Sequence, residues 1–243
     1  MKETGLIFST PMVKAIQEGL KTQTQRTYGL EFVNQDPDAY RFLRMEGDLA
    51  VFEQVGFCMT QIEPRIPRQS FPKKDAVEGE SVYFYIKCPY GQVGDWFYVK
   101  ETWRIRNTDT RYYYIEYEAG GVAQIEKLSD EGFYAGWVWA KYGNKKRTSM
   151  FLPKWAARIW REITDLRAER LQDITLEDCW DEGIQGRAED RVPQFRSLWE
   201  SLNAKRKNIA PKTHKPIIIQ DGYTWESNPW VWPIEFKEIV KEA

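Results

Sequence analysis

Lys21, Thr24 and Arg26 fall within one short run, Gly19-Leu20-Lys21-Thr22-Gln23-Thr24-Gln25-Arg26. A lysine amine in an apolar setting gives up its proton and acts as a base, and a threonine hydroxyl beside it becomes a nucleophile. Spacing decides whether the two can meet. In a plain strand Lys21 and Thr24 point to opposite faces, whereas in a helical or turn-like exit residues three apart share a side. The other reading of the run is a solvated basic loop. Carboxylates elsewhere could complete a site. Glu101 falls on the apolar face of a strand pattern, where a carboxylate must be paired, protonated or at a cavity mouth, unless an edge position lets it reach water. Asp181 and Glu182 close a short helix pattern, at the end where a negative charge is disfavoured by a few tenths to ~1 kcal/mol. Such acids stand in water or are put to use.

Caps and periods predict the elements that must hold these groups. Thr10 as N-cap, Pro11 in the first turn and Gly19 as a left-handed stop frame a first helix, with Met12, Val13, Ile16 and Leu20 at helical spacing. Leu6-Ile7-Phe8 reads as the strand before it. Residues 27–80 are polar, carry Pro37, Pro64, Pro67 and Pro72, and show no sustained period, so they read as an insertion. Near its end Arg65, Arg68, Lys73 and Lys74 form either a solvated surface or a phosphate-contacting patch. Residues 81–87 and 96–103 read as strands, the second with Phe97, Val99, Glu101 and Trp103 on one face. A second insertion, 104–148, reads as a hairpin elaboration with aromatic strands at 111–118 and 136–141.

Further on, 157–171 reads as a long bent strand. Residues 176–182 read as a short helix with Thr175 as N-cap, Asp178 as capping-box acid and Gly183 as stop. An amphipathic helix at 192–203, an exposed basic stretch at 205–215, a buried strand at 217–219 and a last strand at 231–239 complete the chain. Pro233 in that strand signals an edge or a bulge. Helices and strands together predict a single mixed α+β domain.

Composition narrows the classes. The chain has 243 residues, 29% charged and 42% hydrophobic, which suits a soluble globular domain with a sizeable core. Aromatic residues reach 15%, with 11 Trp. A net charge of −1 gives no global field for nucleic acid, so any such binding needs a local basic patch. Cys58, Cys88 and Cys179 are far apart and His214 is the lone histidine, which excludes an ordinary His/Cys zinc site and argues against a disulfide framework. A Ser-His-Asp triad would need His214, and no Gly-x-Ser-x-Gly accompanies it. No apolar run approaches a membrane span, and the N-terminus lacks a signal peptide's apolar region. The expected location is the cytoplasm.

The Gly-x-Lys-Thr-x-Thr-x-Arg run after a short helix resembles the signature of the ASCH family (activating-signal-cointegrator homology domains). Further blocks resemble the larger, phage-encoded members. They are Cys88-Pro89-Tyr90-Gly91 with Gly94-Asp95, Val99-Lys100-Glu101-Thr102-Trp103, residues 150–158, Glu169-Arg170-Leu171-Gln172-Asp173-Ile174 through Glu182-Gly183-Ile184, Leu198-Trp199, and Asn228-Pro229-Trp230-Val231-Trp232. The resemblance implies a PUA-like mixed β-barrel with flanking helices, interrupted by the two insertions. Small bacterial members remove an acyl group from the N4 amine of cytidine. Carried over, Thr24 is the nucleophile, Lys21 its activating amine and Glu182 the acid/base for the leaving amine. Arg26 holds a phosphate or orients Glu182, Glu101 and Asn228 join the binding residues, and Trp103 or Trp225 supplies a stacking surface. The implied partner is a nucleoside, a nucleotide or RNA, with no metal or cofactor. The alternatives are a nucleic-acid-binding module without hydrolysis, an RNA-cutting activity, and a phage accessory protein that binds a host factor in the host cytoplasm. Under the first reading Lys21, Thr24, Glu101 and Glu182 are expected to converge on one cavity.

Overall fold

The computed structural model describes residues 1–55, 82–107, 110–203, 208–209, 217–218 and 223–239. In chain order its elements are β1 (Glu3–Ile7), α1 (Thr10–Gln17), β2 (Gln23–Arg26), β3 (Tyr40–Glu46), β4 (Leu49–Gln54), β5 (Tyr83–Lys87), β6 (Trp96–Lys100), β7 (Trp103–Arg106), β8 (Tyr112–Tyr117) and β9 (Val122–Glu126). They continue with α2 (Asp130–Tyr142), β10 (Trp160–Leu166), β11 (Glu169–Arg170), α3 (Leu176–Asp181), α4 (Ala188–Asn203), β12 (Asn208–Ile209), β13 (Ile217–Ile218) and β14 (Trp230–Glu238). The fold is mixed α+β. Two compact units divide it: Met1–Lys21 with Gly94–Glu162 and Lys237–Ala243, and Thr22–Val93 with Ile163–Phe236.

In the first unit β1 pairs in parallel with β6, and residues 160–162 of β10 pair antiparallel with the other edge of β6. Helix α1 has Ser9 rather than Thr10 at its N-cap position, carries Pro11 in its first turn and stops at Gly19, whose φ of 71° is the left-handed form that glycine adopts without cost. Val13 and Ile16 are its buried residues. Strands β7, β8 and β9 form an antiparallel meander, and α2 packs on it through Ala135 over a core of Trp103, Ile105, Ile115, Tyr117, Leu152 and Ala156.

The pattern predicted for 96–103 holds as faces but not as one strand. Phe97, Val99, Glu101 and Trp103 are all buried, yet pairing breaks between Lys100 and Trp103. The reason is local. Thr102 gives its carbonyl to the Glu118 N–H, Trp103 pairs with Arg147, and the Glu101 carboxylate turns to Arg158. That pair is bidentate, with Arg158 Nε and Nη2 donating at 2.8 and 2.9 Å. The Arg158 guanidinium also lies over the Tyr117 ring at 4.1 Å. Glu101 is therefore a paired core carboxylate.

In the second unit β3, β4 and β5 form an antiparallel meander, so the region read as irregular holds a hairpin turning at Gly47. Polar residues on its outer face hide the alternation, and a register shift between Phe42 and Arg44 breaks the period. Phe52 packs edge-on against Trp230 at 5.1 Å, and the Asn34 amide clamps Trp230 from both sides of its backbone. Strand β14 pairs antiparallel with β2 and with β11. Pro233 opposes Gln25, a residue whose N–H points away from β14, so the missing proline donor removes no bond to β2. Helices α3 and α4 cover a core of Leu171, Ile174, Cys179, Phe195, Trp199, Tyr223 and Val231.

One expected strand is a helix. Residues 136–141 belong to α2, because the Ser129 hydroxyl caps the Gly132 N–H and Asp130 and Glu131 favour its positive end. Aromatic residues raise strand propensity without deciding it. The expected long strand at 157–171 is two shorter ones, β10 and β11. The basic cluster Arg65, Arg68, Lys73 and Lys74, together with Cys58 and His214, lies outside the described residues.

Replacing Arg158 with Ala leaves Glu101 buried without its cation and should cost roughly 3 kcal/mol of stability. Adding Glu101→Gln to that variant should return part of the loss in a denaturant titration. Losses that simply add would remove the pair as the reason for the strand break.

Candidate functional site

The Lys21–Arg26 run leaves α1 and enters the interior at once. Lys21 is 1% exposed and Thr22 faces solvent, while Gln23, Thr24 and Gln25 are buried. The solvated-loop reading is overturned. Residues 23–26 form β2, so Thr24 and Arg26 share one face and Gln23 and Gln25 the other. Opposite them on β14 stand Ile234 and Trp232 on the first face, and Glu235 and Pro233 on the second.

Strand β2 has β14 on one side only. The Phe236 N–H donates to the Thr22 carbonyl just before β2, which sets the register so that Thr24 and Arg26 are the hydrogen-bonded positions of the strand. The N–H groups of Gln23 and Gln25 then point to the other edge. There the end of α3 meets the strand. Thr22 N–H donates to the Asp181 carbonyl at 2.8 Å, and its hydroxyl donates to the Asp181 carboxylate at 3.0 Å. Gln25 N–H donates to Glu182 Oε1 at 2.5 Å.

Local sequence explains why α3 ends there. Thr175 and Asp178 form a reciprocal capping box, and Gly183 turns the chain at φ 89° directly after Glu182. The two acids sit at the helix's negative end, as expected, and are matched by the Thr22 hydroxyl and the Gln25 N–H. Glu182 is 7% exposed. The thiol of Cys179, on the same helix, is pushed up to about 11 by burial and by the Asp178 and Glu182 charges, so it is a packing group.

A second charged cluster lies in the same unit. Arg167 donates to Asp165 at 2.7 Å, Glu235 at 2.9 Å, Glu169 at 3.1 Å and Asp178 at 3.2 Å. Burial alone would lower the Arg167 pKa, but Asp165, Glu169 and Glu235 raise it above its ordinary value. Burial also pushes Glu169 up, and Arg167 offsets only part of this because Asp178 and Asp173 act the other way. For Asp178 burial is outweighed by the Thr175 bonds, the Arg167 charge and the Gln23 amide, which hold its carboxyl below the ordinary range. That amide makes no regular hydrogen bond, and its effect is the smallest of these. Gln25 Nε2 reaches Glu169 at 3.4 Å, so both outward glutamines of β2 face this cluster.

The remaining expected site residues are occupied by the fold. Arg26 is half-buried, opposite Trp232. Asn228 adopts φ 42°, accepts from Gln172 N–H through its side chain and from Arg170 Nε through its carbonyl, and so closes the turn before β14. The Trp225 ring packs on Phe195, with Glu200 accepting from its backbone N–H. Trp103, 2% exposed, is a core residue of the first unit with Trp155 against it, so its ring is no open stacking surface. Within the second unit Glu182 of the α3 end is bonded to the backbone of Gln25, the residue after Thr24, while Glu101 is bound by Arg158 in the first.

Arg167 and its carboxylates escaped the sequence reading. Their signal was the spacing of Asp165, Arg167 and Glu169, two residues apart and so on one side of an extended chain, hidden within a stretch whose apolar residues fit no period. Comparison of the chain with family models, with curated proteins and with solved structures finds no match.

Arg167→Ala should lower stability by roughly 2 kcal/mol at pH 7, less than for a fully buried pair because Asp165 and Glu235 are partly in water. The folded pKa of Asp178 lies below its unfolded value, so its contribution is complete above the ordinary aspartate range and is lost as pH falls below about 4. Glu169 has the opposite sign, contributing below the ordinary glutamate range and losing this as pH rises through its raised pKa. The Arg167→Ala loss should therefore shrink as pH falls toward 4, because Glu169, whose pKa is raised, takes up its proton there while Asp178 still holds its charge. An equal loss at both pH values would mean that Arg167 acts through packing alone.

Proposed function

We propose that this chain is an ASCH-type protein with a PUA-like β-barrel, which binds a nucleoside, a nucleotide or an exposed RNA base and hydrolyses an N4-acyl-cytidine amide. The observation that carries the reading is the bond from Gln25 N–H to Glu182 Oε1. Gln25 and Glu182 are 157 residues apart in the chain, yet they bond the strand that carries Thr24 directly to the α3 end. A carboxylate held at a strand edge has a fixed position, which an acid/base group needs. Lys21 precedes Thr24 by three residues, and its burial suits an amine that acts in its neutral form.

In this reading Thr24 Oγ bonds to the acyl carbon and its proton passes to Lys21. Glu182 supplies a proton to the departing N4 amine as the amide C–N bond breaks. Water then releases the acyl group as a carboxylic acid and returns a proton to Glu182, while Thr24 recovers its own from Lys21. Arg26 beside Thr24 on the same face of β2 is the cation for a substrate phosphate. The low exposure of Thr24, 4%, and Glu182, 7%, favours a second reading, a nucleic-acid-binding module without hydrolysis.

N4-acetylcytidine should be converted to cytidine, followed by chromatography. Thr24→Ala and Lys21→Ala should each lower the rate by about 100-fold or more, and the double variant should fall little further, since nucleophile and base act as a unit. Thr24→Ser should retain part of the rate. Glu182→Gln keeps an acceptor for Gln25 N–H, so it should lose turnover while its stability stays within about 1 kcal/mol of the parent. Turnover that survives Thr24→Ala removes Thr24 as nucleophile. A parent chain that binds the nucleoside but never cleaves it supports the second reading.

A further inference from the structure

Helix α2 inverts the usual arrangement of a surface helix. Ala135 is buried, and Val138 and Trp139 pack inward on the β7–β9 core. Its outward face should then be polar. Instead Phe133, Tyr134 and Trp137 stand there, 73%, 55% and 54% exposed. With Lys141 they follow the spacing i, i+1, i+4 and i+8, so the four form one stripe. No hydrophobic partner covers this stripe among the described residues of the unit.

The chain that runs on from it carries charge of one sign. From Gly132 to Ala157 the chain carries Lys141, Lys145, Lys146, Arg147 and Lys154 and no acidic residue. Lys146 and Lys154 are paired with Glu118 and Glu3. Lys141 lies over the Trp137 and Tyr142 rings at 4.8 and 5.2 Å, and Arg147 over Tyr142 at 3.6 Å. Cations and ring faces thus alternate toward the C-terminal end of α2. Asp130 lies on the stripe at its other end, so anions are favoured only at the Lys141 end.

We infer that the outward stripe of α2 binds single-stranded nucleic acid. Bases stack on Phe133, Tyr134 and Trp137, and the phosphates that join them run past Lys141, Lys145 and Arg147. A polyanion carrying flat apolar groups at short intervals matches an alternation of rings and cations. An anionic lipid surface would ask for a continuous apolar face with the cations at its rim. This stripe belongs to the first unit and shares no residue with Thr24 and Glu182, and binding to it succeeds or fails whether or not an amide is hydrolysed.

The test uses the full chain and a fluorescent twelve-nucleotide oligouridine, read by anisotropy over a series of salt concentrations. Trp137→Ala should weaken binding by about tenfold or more, within the range of a lost base stack. Lys141→Ala with Lys145→Ala should lower the slope of log affinity against log salt by roughly one to one and a half, since each phosphate contact to a single strand contributes about 0.7. All these side chains are exposed, so thermal melting should be unchanged. Parent affinity and slope retained in both variants would overturn the assignment. So would binding of phosphatidylserine vesicles without oligouridine, or a self-association in sedimentation that Trp137→Ala abolishes.

Discussion

The second unit depends on how the open edge of β2 is closed. A strand paired on one side only leaves every second N–H and carbonyl without a partner, and a buried backbone donor left so costs about as much as a lost hydrogen bond. Here a helix end supplies the acceptors. The Glu182 carboxylate takes the Gln25 N–H of the open edge, and just before the strand the Asp181 carbonyl takes the Thr22 N–H. The same contacts answer a second problem, because two acids at the negative end of α3 need positive partners. Strand edge and helix end satisfy each other.

That solution brings constraints with it. Gln23 and Gln25 must face the cluster around Arg167, where four carboxylates share one guanidinium. Such a group is balanced by opposing effects, and its two resolved carboxyl shifts have opposite signs: Glu169 is raised by burial and Asp178 is lowered by its bonds. Thr24 and Arg26, on the opposite face, are held in register by Ile234 and Trp232. A hydroxyl in a paired strand has little freedom, which is what a positioned nucleophile requires.

The first unit handles its buried charge differently. Glu101 has a single cation, in bidentate geometry and stacked on Tyr117, so its carboxylate is neutralised within the core. Its surface invests aromatic residues in an exposed helix face, where they do not contribute to the core. Phe133 and Trp137 are exposed next to a meander whose inner rings are buried, so the same residue types serve two purposes within forty residues.

Local signals were legible wherever a single side chain decides. The capping box of Thr175 and Asp178, the stops at Gly19 and Gly183, and the alternating faces of 96–103 all follow from short-range sterics and hydrogen bonds, and all are present. The α+β class followed from the mixture of periods. What sequence could not decide were the long-range partners. That Arg158 would meet Glu101, that Arg167 would gather Glu235 from 68 residues away, and that Glu182 would accept from Gln25 depend on which strands lie side by side. The segment at 136–141 shows the same limit from the other side. Its aromatic residues suit a strand, but a cap at Ser129 and packing through Ala135 make it a helix, because burial and a satisfied end outweigh an intrinsic preference of about 1 kcal/mol at most.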